Sequence, residues 1–367
     1  MKIVVGMSGG VDSAVSALLL HRAGHEVIGV FMKNWEEADA DGICTATQDW
    51  ADVQAVCDSI GIPYYAVNFT QEYHDRVFSY FLSEYKRGRT PNPDVLCNRE
   101  IKFKAFLDFA LQLGADRLAT GHFARLAADE TGVRLLRGVD GGKDQSYFLY
   151  MLTQPPLQKA MFPVGGLTKA EVRRIAEEAK LPVAHKRDST GVCFIGERDF
   201  KAFLQGFLPA QPGDMVGEDG RVLGRHDGLM YYTLGQRRGL GIGGTRGGDG
   251  ARWFVIEKDM ARNRLVVAQG EDSPRLYSSH CIATEATWVL GAPPAPGFDC
   301  TAKYRYRQAD QPVHVEVVGD TLHVTAYTPQ RAVTPGQSVV LYAGDTCLGG
   351  AVVDSVWQQP PLPKQFT

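Results

Sequence analysis

The segment Gly6-Met7-Ser8-Gly9-Gly10-Val11-Asp12-Ser13 lies between an apolar run, Ile3-Val4-Val5, and a helix-like run ending near Gly24. A strand that passes through a glycine turn into a helix aims unpaired backbone N–H groups and the positive end of the helix dipole at one spot. Such a spot binds anions, phosphate above all. Gly9 and Gly10 permit positive φ and close approach of a phosphate, the Ser8 and Ser13 hydroxyls add donors, and Asp12 is placed to orient a metal-bound water. The pattern fits neither GxxxxGK[ST] nor GxGxxG. An α/β domain with an anion at its first strand-to-helix turn is the fold it predicts.

At 367 residues the chain is long for one core, so two or three domains are expected. A hydrophobic share of 44% with 22% charged residues is that of an ordinary soluble protein, and no apolar run approaches the roughly 20 residues that span a bilayer. The first residues run straight into the glycine turn without a signal-peptide core or an arginine-rich transit segment, so a cytoplasmic location is expected. A net charge of -3 gives no global attraction to nucleic acid, and an RNA partner has to be held by local basic patches. The seven cysteines, at 44, 57, 97, 193, 281, 300 and 347, show no CxxC spacing. Their odd number suits a reducing compartment, and no zinc site is expected.

Alternating strand and helix signals through about residue 125 predict a parallel sheet wrapped by helices. Strands are expected at Lys2–Gly6, Glu26–Met32, Tyr64–Val67 and from Arg117 towards Gly121-His122, with helices near Asp12–Ala23, Gln48–Ile60, Glu72–Lys86 and Phe103–Leu113. Pro91 and Pro93 predict a turn over Gly88–Asp94 that forbids a helix there and exposes the residues beyond Asp94. Ligands in open α/β sheets collect at the carboxyl ends of strands, so Met32, the Pro91–Cys97 loop and Gly121-His122 are expected to face the anion. Thr168-Lys169-Ala170-Glu171 reads as a capping box opening a helix to about Lys180. Beyond about Asp199 helices fade. Trp253–Ile256 and Leu265–Ala268 predict a hairpin, and alternating runs from Cys281 to Trp357 predict a small β-barrel or sandwich. The expected domains are 1–199, α/β and Rossmann-like with a parallel sheet, 200–275, small and β-rich, and 276–367, a C-terminal β-barrel.

In Asn92-Pro93-Asp94-Val95-Leu96-Cys97-Asn98 a carboxylate stands three residues before a thiol. A cysteine just ahead of a helix has its pKa lowered by the helix N-terminus, and Asp94 can pass a proton to or from a substrate. Cys193 comes after Ser189-Thr190-Gly191, a turn able to present its sulfur. Singly, each cysteine reads as a small buried hydrophobe as readily as a nucleophile. Together in one domain they can act as sulfur carrier and resolving thiol. The other five cysteines read as structural. Lys303-Tyr304-Arg305-Tyr306-Arg307, taken as a strand, puts three cations on one face and two tyrosines on the other. That face suits phosphates and base stacking, or else is a solvated barrel strand with core tyrosines. Arg237-Arg238 is a second candidate for phosphate.

The core of the glycine turn, SGGVDS, resembles the signature of the PP-loop ATP pyrophosphatases, which split ATP between its α and β phosphates. With MKNW (Met32 to Trp35), TPNPDVLCNREIKF (Thr90 to Phe103), ATGHFAR (Ala119 to Arg125), KDQSYFL (Lys143 to Leu149), DSTGVCFIGER (Asp188 to Arg198), YTLGQRRGLGIGG (Tyr232 to Gly244) and KYRYRQ (Lys303 to Gln308), essentially the whole chain resembles the bacterial tRNA-specific 2-thiouridylases. The resemblance implies a sulfurtransferase that adenylates the C2 oxygen of the wobble uridine with ATP, accompanied by Mg²⁺. Sulfur then replaces AMP. Gly6, Met7, Ser8, Gly9, Gly10, Val11, Asp12, Ser13, Met32 and Gly121 match the ATP-binding positions. Cys193 matches the carrier of a persulfide received from a sulfur-relay protein or cysteine desulfurase, Cys97 the nucleophile that frees the sulfur by forming a disulfide with Cys193, and Asp94 the acid/base. The tRNA contacts implied are Asn92, Pro93 and Asp94 at the target base, with His122, Lys143, Asp144, Gln145, Arg305, Tyr306 and Gln337.

Two competing readings keep parts of this. A PP-loop ligase with a small-molecule substrate would keep the ATP site, although the sequence has no glutaminase-like segment and a large β-rich third left to explain. An RNA-binding or ATP-sensing module would make both loop cysteines structural.

Overall fold

A computed structural model describes residues 1–35, 45–188, 200–242 and 251–358. Cys44, Cys193 and the Gly243-Gly244 end of the YTLGQRRGLGIGG motif lie outside the described residues.

The strand Lys2–Met7 pairs in parallel with Glu26–Lys33 on one side and Arg117–Thr120 on the other, while Tyr64–Asn68 and Ala160–Met161 complete a five-stranded parallel sheet. Alternate residues of this strand enter opposite layers. Ile3, Val5 and Met7 pack with Val11, Ala14, Val15 and Leu18 of the helix Val11–Arg22, whereas Val4 packs in the layer of Phe106 and Leu107. Both faces are covered, which is why the strand is apolar throughout. Gly24, at φ +80°, ends the first helix as expected.

Pro93 opens a helix where the sequence predicts that prolines forbid one. Residues Pro93–Leu96 are α-helical, Cys97–Ala105 continue as a π-helix, and Phe106–Gln112 return to α geometry. At the first helical position proline has no N–H to withhold from the ladder, and its fixed φ suits the turn. Phe103 leaves helical geometry at φ -105°, ψ 16°, where the wider π turns give way to α. Cys97 therefore lies inside a helix and is 1% exposed, instead of standing free ahead of one.

Four strands, Trp253–Asp259, Arg264–Gln269, Gly213–Val216 and Val222–His226, form the central sheet, with the expected hairpin turning through Asn263 at φ +51°. In the C-terminal region six strands close into a barrel because Tyr277–Trp288 pairs with Thr346–Trp357. A hairpin from the N-terminal region, Ala124–Asp129 with Gly132–Arg137, extends this sheet through Leu135 and Leu136 beside Cys347 and Thr346. Ion pairs Arg125–Asp345 and Arg137–Asp310, each at 2.8 Å, reinforce that junction, and the Arg137 guanidinium lies 3.8 Å from the Tyr342 ring centre.

The strand expected over Lys303–Arg307 stops at Lys303, and residues 304–307 turn. Lys303 is drawn towards Asp310 (3.9 Å) and the Tyr342 ring, and Tyr304 is buried, so the three-cation face does not form. Arg305 and Arg307 remain exposed at the turn. Among the described residues no helix is long and apolar enough to cross a membrane.

Candidate active site

Strand order reverses between Lys2–Met7 and Arg117–Thr120, so their carboxyl ends open a crevice. Ser8-Gly9-Gly10 leaves one end and Gly121-His122 the other. Gly9 takes φ +74°, and a Cβ there would stand 2.8 Å from the Asp49 carbonyl oxygen. Gly10 departs from the expectation of positive φ: at φ -100° it is the helix N-cap and brings no side-chain cap. Gly121 is a close-approach glycine, whose Cβ would meet the Ser13 nitrogen at 2.7 Å and the Asp12 carbonyl carbon at 2.8 Å. Ser13 is buried, its Oγ donating to the Gly10 carbonyl at 3.1 Å and accepting from the Ser8 N–H at 3.2 Å. Its hydroxyl stiffens the turn, while Ser8 stays exposed. Half-buried Met32 lies beside Gly6, its Cε 3.7 Å from where a Cβ would be. The arrangement is a preformed anion cradle.

Cations gather at its edge. Asp12 Oδ1 accepts from Lys169 Nζ at 2.6 Å, and the same ammonium reaches Asp188 at 2.8 Å. Lys143 and Arg173 also pair with Asp188, each at 2.7 Å. Burial raises the Asp12 carboxyl above its ordinary value against the pull of Lys169. Burial also opposes ionisation of Asp188, but hydrogen bonds from Lys143 and Lys169 outweigh it and hold that carboxyl at about 2. Lys143, Lys169 and Arg173 thus form one ion-pair network with Asp12 and Asp188. In the sequence Lys169 reads only as part of a capping box, which does form between Thr168 and Glu171. The signal for more is its position: a lysine at the first residue of a helix opposes the dipole and needs a partner.

Among the described residues no group of three or more His, Cys, Asp or Glu is placed to hold a metal. Asp12 keeps one oxygen clear of Lys169, since the ammonium takes Oδ1. A single carboxylate oxygen is the kind of donor that a Mg²⁺ carried by phosphates would accept.

The helical run that carries Asp94 and Cys97 in its first turns reaches this crevice further along, where Phe106 lies 3.0 Å from where a Cβ on Gly6 would stand and the Phe103 ring centre is 6.1 Å from that of His122. Burial raises the carboxyl of Asp94, partly offset by the Lys102 charge. His122 is 8% exposed, its ring near those of Phe103 and Phe162 and its Nδ1 2.7 Å from Thr120 Oγ1. Burial, and then Lys102, keep its pKa well below the usual histidine value, so it is neutral at physiological pH. Asn98, next to Cys97, is buried and donates to the Phe148 carbonyl at 3.0 Å. Cys57, Cys281, Cys300 and Cys347 are pushed up to about 12 by burial, in keeping with packing roles. Cys193, the other sequence-predicted sulfur, is among the residues not described.

The residues expected to touch RNA are joined by contacts. The Tyr147 hydroxyl donates to the Ser338 carbonyl at 3.0 Å and meets the Asn92 side chain. The Tyr306 hydroxyl donates to the Lys143 carbonyl at 3.2 Å, with its ring centre 4.5 Å from that of Phe148. Gln337 Nε2 donates to the Thr90 carbonyl at 2.7 Å. Pro93 is buried and Arg305 exposed. Asp144 is 5% exposed and accepts from the Gly138 and Ser146 N–H groups, so it shapes its own turn instead of reaching outwards. Gln145 likewise accepts from the Phe123 N–H at 2.9 Å.

Family models match the chain in three consecutive pieces: a tRNA methyl transferase HUP domain over residues 1–197, a tRNA methyl transferase PRC-barrel domain over 201–269 and an aminomethyltransferase beta-barrel domain over 278–353. A protein of Enterococcus faecalis named tRNA-specific 2-thiouridylase MnmA is 60% identical over 360 residues, covering 97% of this chain and 96% of that protein. The chain belongs to the tRNA-specific 2-thiouridylase family. A second 2-thiouridylase, from Lysinibacillus sphaericus, is also 60% identical over 360 residues, 98% of this chain and 95% of its own. Solved structures resemble this 2-thiouridylase family member more distantly. An NMN synthetase from Francisella tularensis gives a TM-score of 0.33 at 17% identity, covering 56% of this chain and 76% of its own. A 4-thiouridine synthetase in complex with RNA and ATP gives 0.35 at 18% identity, covering 56% and 49%.

Proposed function

We propose that this enzyme forms 2-thiouridine at the wobble position of tRNA, activating the base with ATP and replacing the activated oxygen with sulfur from a protein persulfide. What supports the reading is that the helical run carrying Asp94 and Cys97 reaches, through Phe103 and Phe106, the strand ends from which the Ser8–Ser13 turn and Gly121 leave the sheet. The cradle N–H groups and Lys169 take the β and γ phosphates, so that the C2 oxygen of the uridine attacks the α phosphorus and pyrophosphate leaves. Asp12 would supply one ligand to a Mg²⁺ arriving with the nucleotide, which would neutralise phosphate charge. Asp94 takes the N3 proton as the C2 oxygen becomes the nucleophile. Its raised pKa strengthens it as a base, and Lys102 keeps the shift from going further. The terminal sulfur of a Cys193 persulfide adds at C2 and AMP departs. The Cys97 thiolate attacks the inner sulfur of Cys193, breaking the S–S bond: the electron pair stays on the sulfur left at C2, and a Cys97–Cys193 disulfide forms. A thiol reductant resets it, as a cytoplasmic setting allows. Partners are the tRNA and a persulfide-donating protein.

Pyrophosphate release from ATP tests this against a small-molecule ligase. Release is expected to need unmodified tRNA and to be unmoved by small acids or ketones; turnover that ignores tRNA and depends on a small substrate would refute the reading. The Asp94 assignment predicts a pH profile. A base works above its pKa, so the single-turnover rate falls as pH drops through a value above that of an ordinary aspartate, and Asp94→Asn removes that limb and about 10²–10⁴ of the rate.

A further inference from the structure

Asn92, Pro93 and Asp94 come directly after a turn that both accessory regions hold. From the C-terminal barrel, Gln337 Nε2 donates to the Thr90 carbonyl at 2.7 Å, and the Pro335 carbonyl accepts from the Thr90 N–H at 2.9 Å. Gly336 has φ +92°, and a Cβ there would stand 2.9 Å from the Thr90 backbone, so the contact is backbone against backbone. Arg89 pairs with Asp354 at 2.6 Å and donates to the Val353 carbonyl at 3.0 Å. From the central sheet, Lys258 Nζ donates to the Gly88 carbonyl at 2.9 Å. None of these contacts needs RNA. Gln337 thus spends its donor on a main-chain carbonyl two residues before Asn92, the N-cap of the helix that opens at Pro93 and carries Asp94.

Resting on the thiolation reading above, we propose that Gln337 is a positioning residue for the Asn92–Asp94 turn, so that the C-terminal barrel sets the rate of the chemical step as well as any affinity for RNA. A purely RNA-binding Gln337 would lower affinity and leave the saturated rate intact. A positioning Gln337 acts on the saturated rate, because catalytic groups displaced by a fraction of an ångström lose their alignment.

The test is single-turnover pyrophosphate release at saturating ATP and tRNA, with tRNA affinity measured separately, for wild type, Gln337→Ala and Gln337→Glu. The glutamate keeps size and packing while turning an acceptor towards the carbonyl, which covers the case of an alanine variant that folds poorly. Both are expected to lose about 10-fold in saturated rate, with unfolding midpoints near that of wild type. A saturated rate equal to wild type in the glutamate variant, whatever happens to tRNA affinity, would overturn the assignment. Nucleoside analysis of the wild-type product tests thiolation itself, while the ratio of variant to wild-type pyrophosphate release tests Gln337, so the two can fail separately.

Discussion

Cys97→Ser and Cys193→Ser are each expected to abolish 2-thiouridine formation while leaving the first half of the reaction running. In the proposed reaction the activation step rests on the Ser8–Ser13 turn and Asp94, neither of which needs a thiol. Both variants should therefore release pyrophosphate to about one equivalent per active site and stop, with sulfur incorporation down at least ~10³-fold, the scale of losing a nucleophile. Cys97 is 1% exposed, so a serine there places a hydroxyl in a packed helix, at a stability cost of about 1–3 kcal/mol if it stays unpaired. A thermal midpoint close to wild type together with arrested sulfur transfer separates chemistry from folding. Sulfur incorporation by Cys97→Ser at the wild-type rate would return Cys97 to the packing role that its burial alone suggests.

The second large effect is expected at Gly121, through the backbone it packs against. A methyl group there would stand 2.7 Å from the Ser13 nitrogen and 2.8 Å from the Asp12 carbonyl carbon. Both neighbours are backbone at the opening turn of the helix, so the clash cannot be relieved by rotating a side chain. Gly121→Ala has to push the strand end and the helix start apart, at roughly 1–3 kcal/mol for overpacking. The N–H groups proposed to take the phosphates would lose their common focus, and ATP affinity is expected to fall by about 10²-fold, the scale of a misplaced binding group. Equilibrium nucleotide binding on folded protein checks this, and unchanged affinity would mean that the Ser8–Ser13 turn is not the phosphate cradle. Gly114→Ala serves as the control, because the nearest atom to its Cβ position is the Lys2 Nζ at 3.8 Å; its φ of +78° confines its effect to modest stability loss.

The glycine turn, the parallel sheet around it and the barrel are legible in the sequence because each is encoded locally, in an apolar run, a glycine cluster or a period-two alternation. The Asp94–Cys97 helix escapes such a reading for an equally local reason. Proline breaks helices in their interior but starts them at the first position, and the sequence around Pro93 does not say which applies. The π-helical turns that bury Cys97 depend on tertiary packing and have no periodicity of their own to find. The roles of Lys169 and Asp188 are hidden in the sequence because the Asp12–Lys169 partnership spans 157 positions, and the Gln337–Thr90 contact spans 247. The Lys303–Arg307 alternation is real, yet the chain turns at its first residue, so a correct pattern predicts the wrong face.

In the proposed reaction an ATP-activated uridine receives sulfur through two thiols of this chain. Nucleoside mass spectrometry tests it most directly, on unmodified tRNA incubated with the protein, ATP-Mg²⁺ and a persulfide donor, beside reactions lacking ATP or using each cysteine variant. 2-Thiouridine is expected at the wobble position with the wild-type protein only, and only when ATP is present. ATP consumed by wild-type protein with an active donor, and every uridine left unsulfurated, would contradict it.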